Sequence, residues 1–247
     1  ALQQSDLQFD SPYSNYSLSF DGTGDYIDCT DNDIFSFGNG TTDTPFSLSN
    51  WINMSTVTDF VPISKDSTGA REWTIRMVSG QIHFYIIDNS VSDGYLGRKN
   101  SYSPAANTWF NLICTYDGSA SASGIKIYLD GVRVDDADYI GTGTYVAMEN
   151  TSAIVSIAMQ QGGSVSQPGK IDETAIFNTA LTEAQVLEIY NNGRPGDLDN
   201  FSGTAPISWW RLGENAYFDN NSFIVPNSIT GAPNGTGSGS ITSMLSA

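Results

Sequence analysis

Apolar and polar residues alternate with period two along most of this chain, as strands with one buried face require. Residues 16–20 (YSLSF) alternate, Asp21-Gly22-Thr23-Gly24 turns the chain, and Tyr26 to Cys29 resumes an extended run. In PFSLSNWIN, Phe46, Leu48 and Ile52 share one face, with Ser47 and Ser49 opposite. Glu72–Val78 and Gln81–Ile87 flank Ser79-Gly80, a compact hairpin signal. In IKIYLDGVRV, Asp130-Gly131 supplies the two positive-φ positions of a type I′ turn. Further strands are expected at 108–116, 152–160, 169–177 and 207–213. Turn signals at such short intervals argue for an antiparallel sandwich and against βαβ units.

One segment breaks the alternation. Thr182-Glu183-Ala184-Gln185 reads as a capping box, with Thr182 as N-cap and Gln185 as its partner three residues on. Leu187 and Tyr190 extend an apolar side, and Gly193 is placed to end the helix. A lone helix in a β chain is expected to lie as a lid over one end of the sandwich. The expected division is an N-terminal arm at 1–15, a sandwich domain at 16–228, and an arm or linker at 229–247, where TGAPNGTGSGS lacks alternation.

Composition changes the picture in two ways. Charged residues make up 15% of the chain, against roughly 25% in an average soluble protein, so Ser, Thr, Asn and Gly must supply the polar surface. Ten basic and 27 acidic side chains give a net charge of −17. That field repels phosphate backbones and anionic membrane surfaces, which excludes nucleic acid and membrane insertion as expectations. It suits divalent cations, neutral glycans or a salty medium, or it serves solubility alone. No apolar run reaches the roughly 18 residues of a membrane span. Cys29 and Cys114 lie at the edges of apolar runs and are expected as buried free thiols rather than a bridge.

Four segments in order resemble the laminin-G-like, concanavalin A-like lectin/glucanase family. They are SLSFDGTGDYIDC at 17–29, NTWFNLICTYDGSASASGIKIYLDGVRV at 107–134, GKIDETAIFNTALTEAQVLEIYNNG at 169–193 and WWRLGE at 209–214. The resemblance spans roughly residues 15–215 and implies an all-β fold: an antiparallel jelly-roll β-sandwich with one short capping helix. There are departures. Asn50 stands where a small residue usually precedes the strand tryptophan, Phe110-Asn111 replaces a usual histidine pair, and 135–150 is long and acidic. The resemblance also implies a structural calcium ion joining the first turn to the closing strand, with Asp21 and Asp172 as its metal ligands. The alternative is that Asp21 caps its turn and Asp172 faces solvent.

Catalytic chemistry finds little support in the residues. A retaining glycosidase needs two carboxyls facing one cleft, and strand neighbours such as Asp172 and Glu173 are expected to point to opposite faces. His83, the only histidine, alternates with Tyr85 in QIHFYII and reads as a packed or surface strand residue, without a G-x-S-x-G or H-E-x-x-H companion. Trp51, Trp73, Trp109, Trp209, Trp210 and Tyr95 are candidate sugar platforms, although adjacent Trp209 and Trp210 must split between the two faces. The expected function is a non-enzymatic carbohydrate-binding or adhesion module, extracellular or on a virion surface, with a glycan or surface protein as partner. The rival is a structural or decorating subunit of a homo-oligomer or larger assembly; a glycoside hydrolase comes third.

Overall fold

A computed structural model describes residues 14–101, 103–160, 164–165, 168–220, 222–239 and 245–246. Two antiparallel sheets face each other. The first has eight strands: Val132–Arg133, Ile125–Leu129, Phe110–Tyr116, Phe46–Met54, Gly169–Phe177, Ser17–Phe20 and Leu245–Ser246 in spatial order, with Ser208–Trp210 also paired to Gly169–Phe177. The second has ten: Ala137–Ile140, Tyr95–Asn100, Gln81–Ile87, Ala70–Val78, Ile63–Ser67, Ser156–Ile157, Tyr26–Asp28, Gly235–Ser238, Ser222–Val225 and Tyr217–Asp219. A small hairpin of Met159–Gln160 with Ser164–Val165 pairs with neither sheet, its Met159 carbonyl accepting from the hydroxyls of Ser64 and Ser156. The antiparallel sandwich expected from the alternation, and the jelly roll that the resemblance implies, is the fold.

Alternation places the core between the sheets. Phe46, Leu48 and Ile52 from one sheet meet Trp73, Ile75 and Phe84 from the other in a single buried cluster. The Phe46 ring touches Trp73 at 6.0 Å and Phe84 at 5.8 Å, which ties the two layers together. Each such side chain, fully removed from water, contributes about 1.5–3 kcal/mol. The expected hairpins form with left-handed turn residues: Ser79 and Gly80 have φ of 49° and 82°, Asp130 and Gly131 of 51° and 79°. Cys29 and Cys114 are buried and unbridged.

The helix Glu183–Tyr190 has its capping box, with Gln185 N–H donating to Thr182 Oγ1 and the Gln185 side chain accepting from Thr182 N–H. It ends at Asn191, in the left-handed conformation, two residues before the expected glycine. Its Val186 and Ile189, with Leu181, close over Ile113, Tyr128, Ala175 and Phe177 on the outer face of the eight-stranded sheet. Trp209 joins this second cluster while Trp210 points into the inter-sheet core, the split that adjacent strand residues require.

The expected linker at 229–247 differs where it is described. Gly235–Ser238 is a strand between Tyr26–Asp28 and Ser222–Val225, and Leu245–Ser246 pairs with Ser17 and Leu18. The glycines serve close packing rather than flexibility. A Cβ on Gly235 would come within 2.3 Å of Ile27 Cγ2, and one on Gly237 within 2.9 Å of the Phe223 ring.

Candidate functional site

The two residues expected to share a calcium ion lie apart. Leu18 pairs with Ile171 and Phe20 with Gly169, so the register runs Asp21 and Asp172 in opposite directions, roughly 13 Å apart along the strands at about 3.3 Å per residue. Oxygens bound to one calcium ion sit within about 5 Å of each other, and these two carboxylates cannot share it. Asp21 instead caps its turn, accepting from Thr23 N–H at 2.6 Å. Asp172 is buried, not solvent-facing.

Asp172 belongs to a knot of three acids. The strand Gly169–Phe177 carries a bulge between Asp172 and Ala175, and Glu173 there has φ of 48°. Strict alternation fails at a bulge. Asp172 and Glu173 are therefore not separated onto opposite faces as expected, and together with Glu214 they bring carboxylate oxygens within 4.8 Å of one another. Glu214 sits on Leu212–Asn215, which returns beside the first strand.

Backbone and side-chain donors crowd around the knot. Glu173 N–H donates to Asp172 Oδ1 at 2.8 Å, and the Ser14 hydroxyl lies 2.6 Å from Asp172 Oδ2 and 3.2 Å from each Glu214 oxygen. The backbone N–H groups of Asn15 and Tyr16 donate to Glu214 Oε1 at 2.6 and 3.1 Å. Trp209 Nε1–H and Arg211 Nε–H, the latter at 3.0 Å, satisfy the two oxygens of Glu173. Arg211 thus sets one positive charge against three acids. Burial, then the neighbouring Glu173 carboxylate, hold the Asp172 carboxyl well above the usual range. Burial pushes Glu173 up to about 7 against the pull of Arg211. Both shifts favour the protonated form of Asp172 and Glu173, a cheaper arrangement than burying bare charges.

Asp172 is the one acid of the three that reaches a pocket. The cavity, about 230 Å³, is lined by Tyr16, Trp51, Trp109, Lys170 and Asp172, with Gly193 and Pro195 at its helix side. Register explains the convergence: Asp172 lies directly opposite Trp51. Trp51 stacks on Tyr190 of the helix at 6.1 Å and 17° between planes, which locks it as a wall. Trp109 stands just before Phe110–Tyr116 and is 38% exposed. Two indoles beside an amine and a carboxyl match the apolar faces and hydroxyls of a sugar ring. Hydrolysis would need two carboxyls across the scissile bond, and Glu173 and Glu214 do not line the cavity.

The other candidates are dispersed. Trp73 and Trp210 are core and Trp209 lies under the helix, while Tyr95 and His83 occupy the outer face of the ten-stranded sheet. Residue patterns did not single out Ser14 or Glu214. The only signal for Glu214 was its place in WWRLGE, the segment expected to return beside the first strand.

The sequence profile of the concanavalin A-like lectin/glucanase superfamily matches residues 21–187. The chain belongs to that superfamily. No curated protein matches the sequence significantly. Among solved structures, a candidate carbohydrate-binding protein from Bacteroides ovatus ATCC 8483 is similar at a TM-score of 0.61 and 15% identity, over 95% of this chain and 60% of that one. The receptor-binding domain of botulinum neurotoxin mosaic serotype C/D follows at 0.53 and 17%, over 90% of this chain and 52% of that one. The botulinum neurotoxin serotype D binding domain gives 0.51 and 17%, over 90% and 54%. This superfamily member thus spans between 52% and 60% of the length of these neighbours. At such identities the likeness is one of fold. No helix among the described residues is long and apolar enough to cross a membrane.

Proposed function

We propose that this lectin/glucanase superfamily member is a non-catalytic carbohydrate-binding module, displayed outside the cell or on a virion, whose pocket at Trp51, Trp109 and Asp172 takes one sugar ring of a glycan. The observation that carries the reading is the convergence of Trp51, Trp109, Lys170 and Asp172 on one cavity from separate stretches of chain. At about 230 Å³ it is smaller than the roughly 300–1,000 Å³ of a site for drug-sized ligands, which suits a single ring. Trp109 is the platform, Lys170 a donor, and Asp172 a hydrogen-bonding partner. The carbohydrate-binding description of the Bacteroides ovatus neighbour agrees with this use of the fold.

A glycan array followed by calorimetry on the best neutral oligosaccharide tests the reading. Trp109→Ala should weaken binding about tenfold or more, in line with the loss of a stacked aromatic anchor, while leaving the fold intact. Unchanged affinity in that variant overturns the site. Release of reducing ends from β-glucans that Asp172→Asn abolishes overturns the non-catalytic reading.

A further inference from the structure

The outer face of the ten-stranded sheet carries side chains that neither the core nor the pocket uses. Ile75, Met77, Ile82, Phe84, Ile86 and Leu96 point into the core, so alternation turns Arg76, His83, Tyr85, Gly97 and Lys99 outward. The register is direct: Arg76 lies opposite His83, and His83 opposite Lys99. Like charges set directly across neighbouring strands destabilise a sheet. Here the chain has 10 lysines and arginines, one histidine and a net charge of −17, yet it places two of those cations on either side of that histidine.

These groups are only partly compensated, Arg76 also lying in the field of buried Asp66. Arg76 has a long 3.5 Å contact with exposed Asp59, and Lys99 forms no ion pair among the described residues. His83 is buried to within 7% of its surface. Its Nδ1, the Nε of Arg76 and the hydroxyl of neighbouring Thr74 are buried without a hydrogen-bond partner. Burial, then Lys99 and Arg76, push the His83 imidazole down to about 4, so both positive fields act at one place. The Arg76 Nε–H is a buried donor without an acceptor, which is costly, and the two cations flank a neutral imidazole.

Beside the row stands an aromatic floor. Tyr139 lies 4.4 Å from the His83 ring, 5.3 Å from Tyr85 and 5.0 Å from Tyr95. Gly97 sits between Tyr85 and Tyr139 in register, and a Cβ there would fall 2.5 Å from Tyr85 Cβ. The missing side chain lets the rings close together. Past Tyr95, a depression of about 200 Å³ lined by Arg71, Asn89 and Asp93 extends the surface with planar polar groups.

We propose that this face binds an acidic polysaccharide, with Arg76 and Lys99 holding its carboxylate or sulfate groups and Tyr95 and Tyr139 stacking against the sugar rings beside them. The overall negative charge resists a dense polyphosphate but tolerates a chain whose anions are spaced by whole sugars and whose rings meet the tyrosines. The protein would then hold two glycans on opposite faces, and this site does not depend on the Trp109 pocket.

The test is calorimetry on the full chain with a polyuronate, a sulfated galactan and neutral dextran, together with duplex DNA as a charge control. Binding to one or both acidic polysaccharides should weaken with added salt, and the two arms separate carboxylate from sulfate recognition. Arg76→Gln and Lys99→Gln should each reduce it about tenfold with an unchanged circular dichroism spectrum. Tyr139→Ala should reduce it for the polysaccharides, and Trp109→Ala should leave it as it is. Three results each overturn the proposal: acidic chains bound no better than dextran, wild-type affinity in the double Arg76→Gln/Lys99→Gln variant, or DNA bound as tightly as the polysaccharides. Loss of neutral-glycan binding in Trp109→Ala with acidic binding intact leaves this face standing on its own.

Discussion

The two outer faces of the sandwich share one backbone pattern and opposite fates. On the eight-stranded sheet the outward residues Ile113, Tyr128, Ala175 and Phe177 are apolar and lie under the helix. Farther along the same face, burial raises the carboxyls of Asp172 and Glu173 in a knot they share with Glu214. On the ten-stranded sheet the outward row is Arg76, His83 and Lys99 beside tyrosines, and the knot's counterpart is a histidine that refuses a proton. An apolar outer face shows that the chain itself covers it. A charged and aromatic one is suited to a partner from outside.

The comparison can be broken most forcefully on the covered face. Phe177→Ala empties the space beneath the helix and should cost about 3–5 kcal/mol in urea unfolding; a loss below 1 kcal/mol would mean that the helix contributes little. On the bare face, Gly97→Ala must push Tyr85 or the backbone aside. The expected cost is about 1–3 kcal/mol, with a changed tyrosine signal in near-ultraviolet circular dichroism.

The titrating groups sharpen the contrast because their signs oppose. His83 falls from 6.5 to about 4 on folding, so its share of stability is present above pH 6.5 and drains away as pH drops toward 4. That amounts to about 1–2 kcal/mol by pH 5, and His83→Gln should flatten the acid limb of a stability–pH profile. Glu173 rises from 4.5 to about 7, so its share is present below pH 4.5 and is lost as pH rises through 7. Glu173→Gln should flatten the neutral-to-alkaline limb instead. Parallel profiles for both variants and the parent would contradict the opposition. The smallest effect belongs to the helix start: Thr182→Ala removes the cap and should cost about 1 kcal/mol, read as a lower midpoint with an unchanged m-value.

Much of this architecture was legible because it is local. Ser79-Gly80 and Asp130-Gly131 become turns through their own dihedral preferences, and Thr182 with Gln185 caps a helix through contacts three residues apart. Alternation in 46–54 and 81–87 named the inward residues directly. The site was legible only in pieces: Trp51, Trp109 and Asp172 were each candidates, but nothing along the chain said that they meet. The Gly-rich stretch at 235–238 misled because composition alone cannot separate a flexible glycine from one squeezed against Ile27.

The chain by itself determined which side chains alternate, where it turns, and how much charge it carries, since each follows from neighbours a few residues apart. Pairing register and the bulge at Glu173 belong to the tertiary structure, because both depend on strands more than a hundred residues away in sequence. They separate Asp21 from Asp172 and gather Asp172, Glu173 and Glu214, while the pairing of neighbouring strands aligns Arg76, His83 and Lys99. A net charge says nothing of where the few cations gather; cross-strand register decides that, and with it the local field a ligand meets.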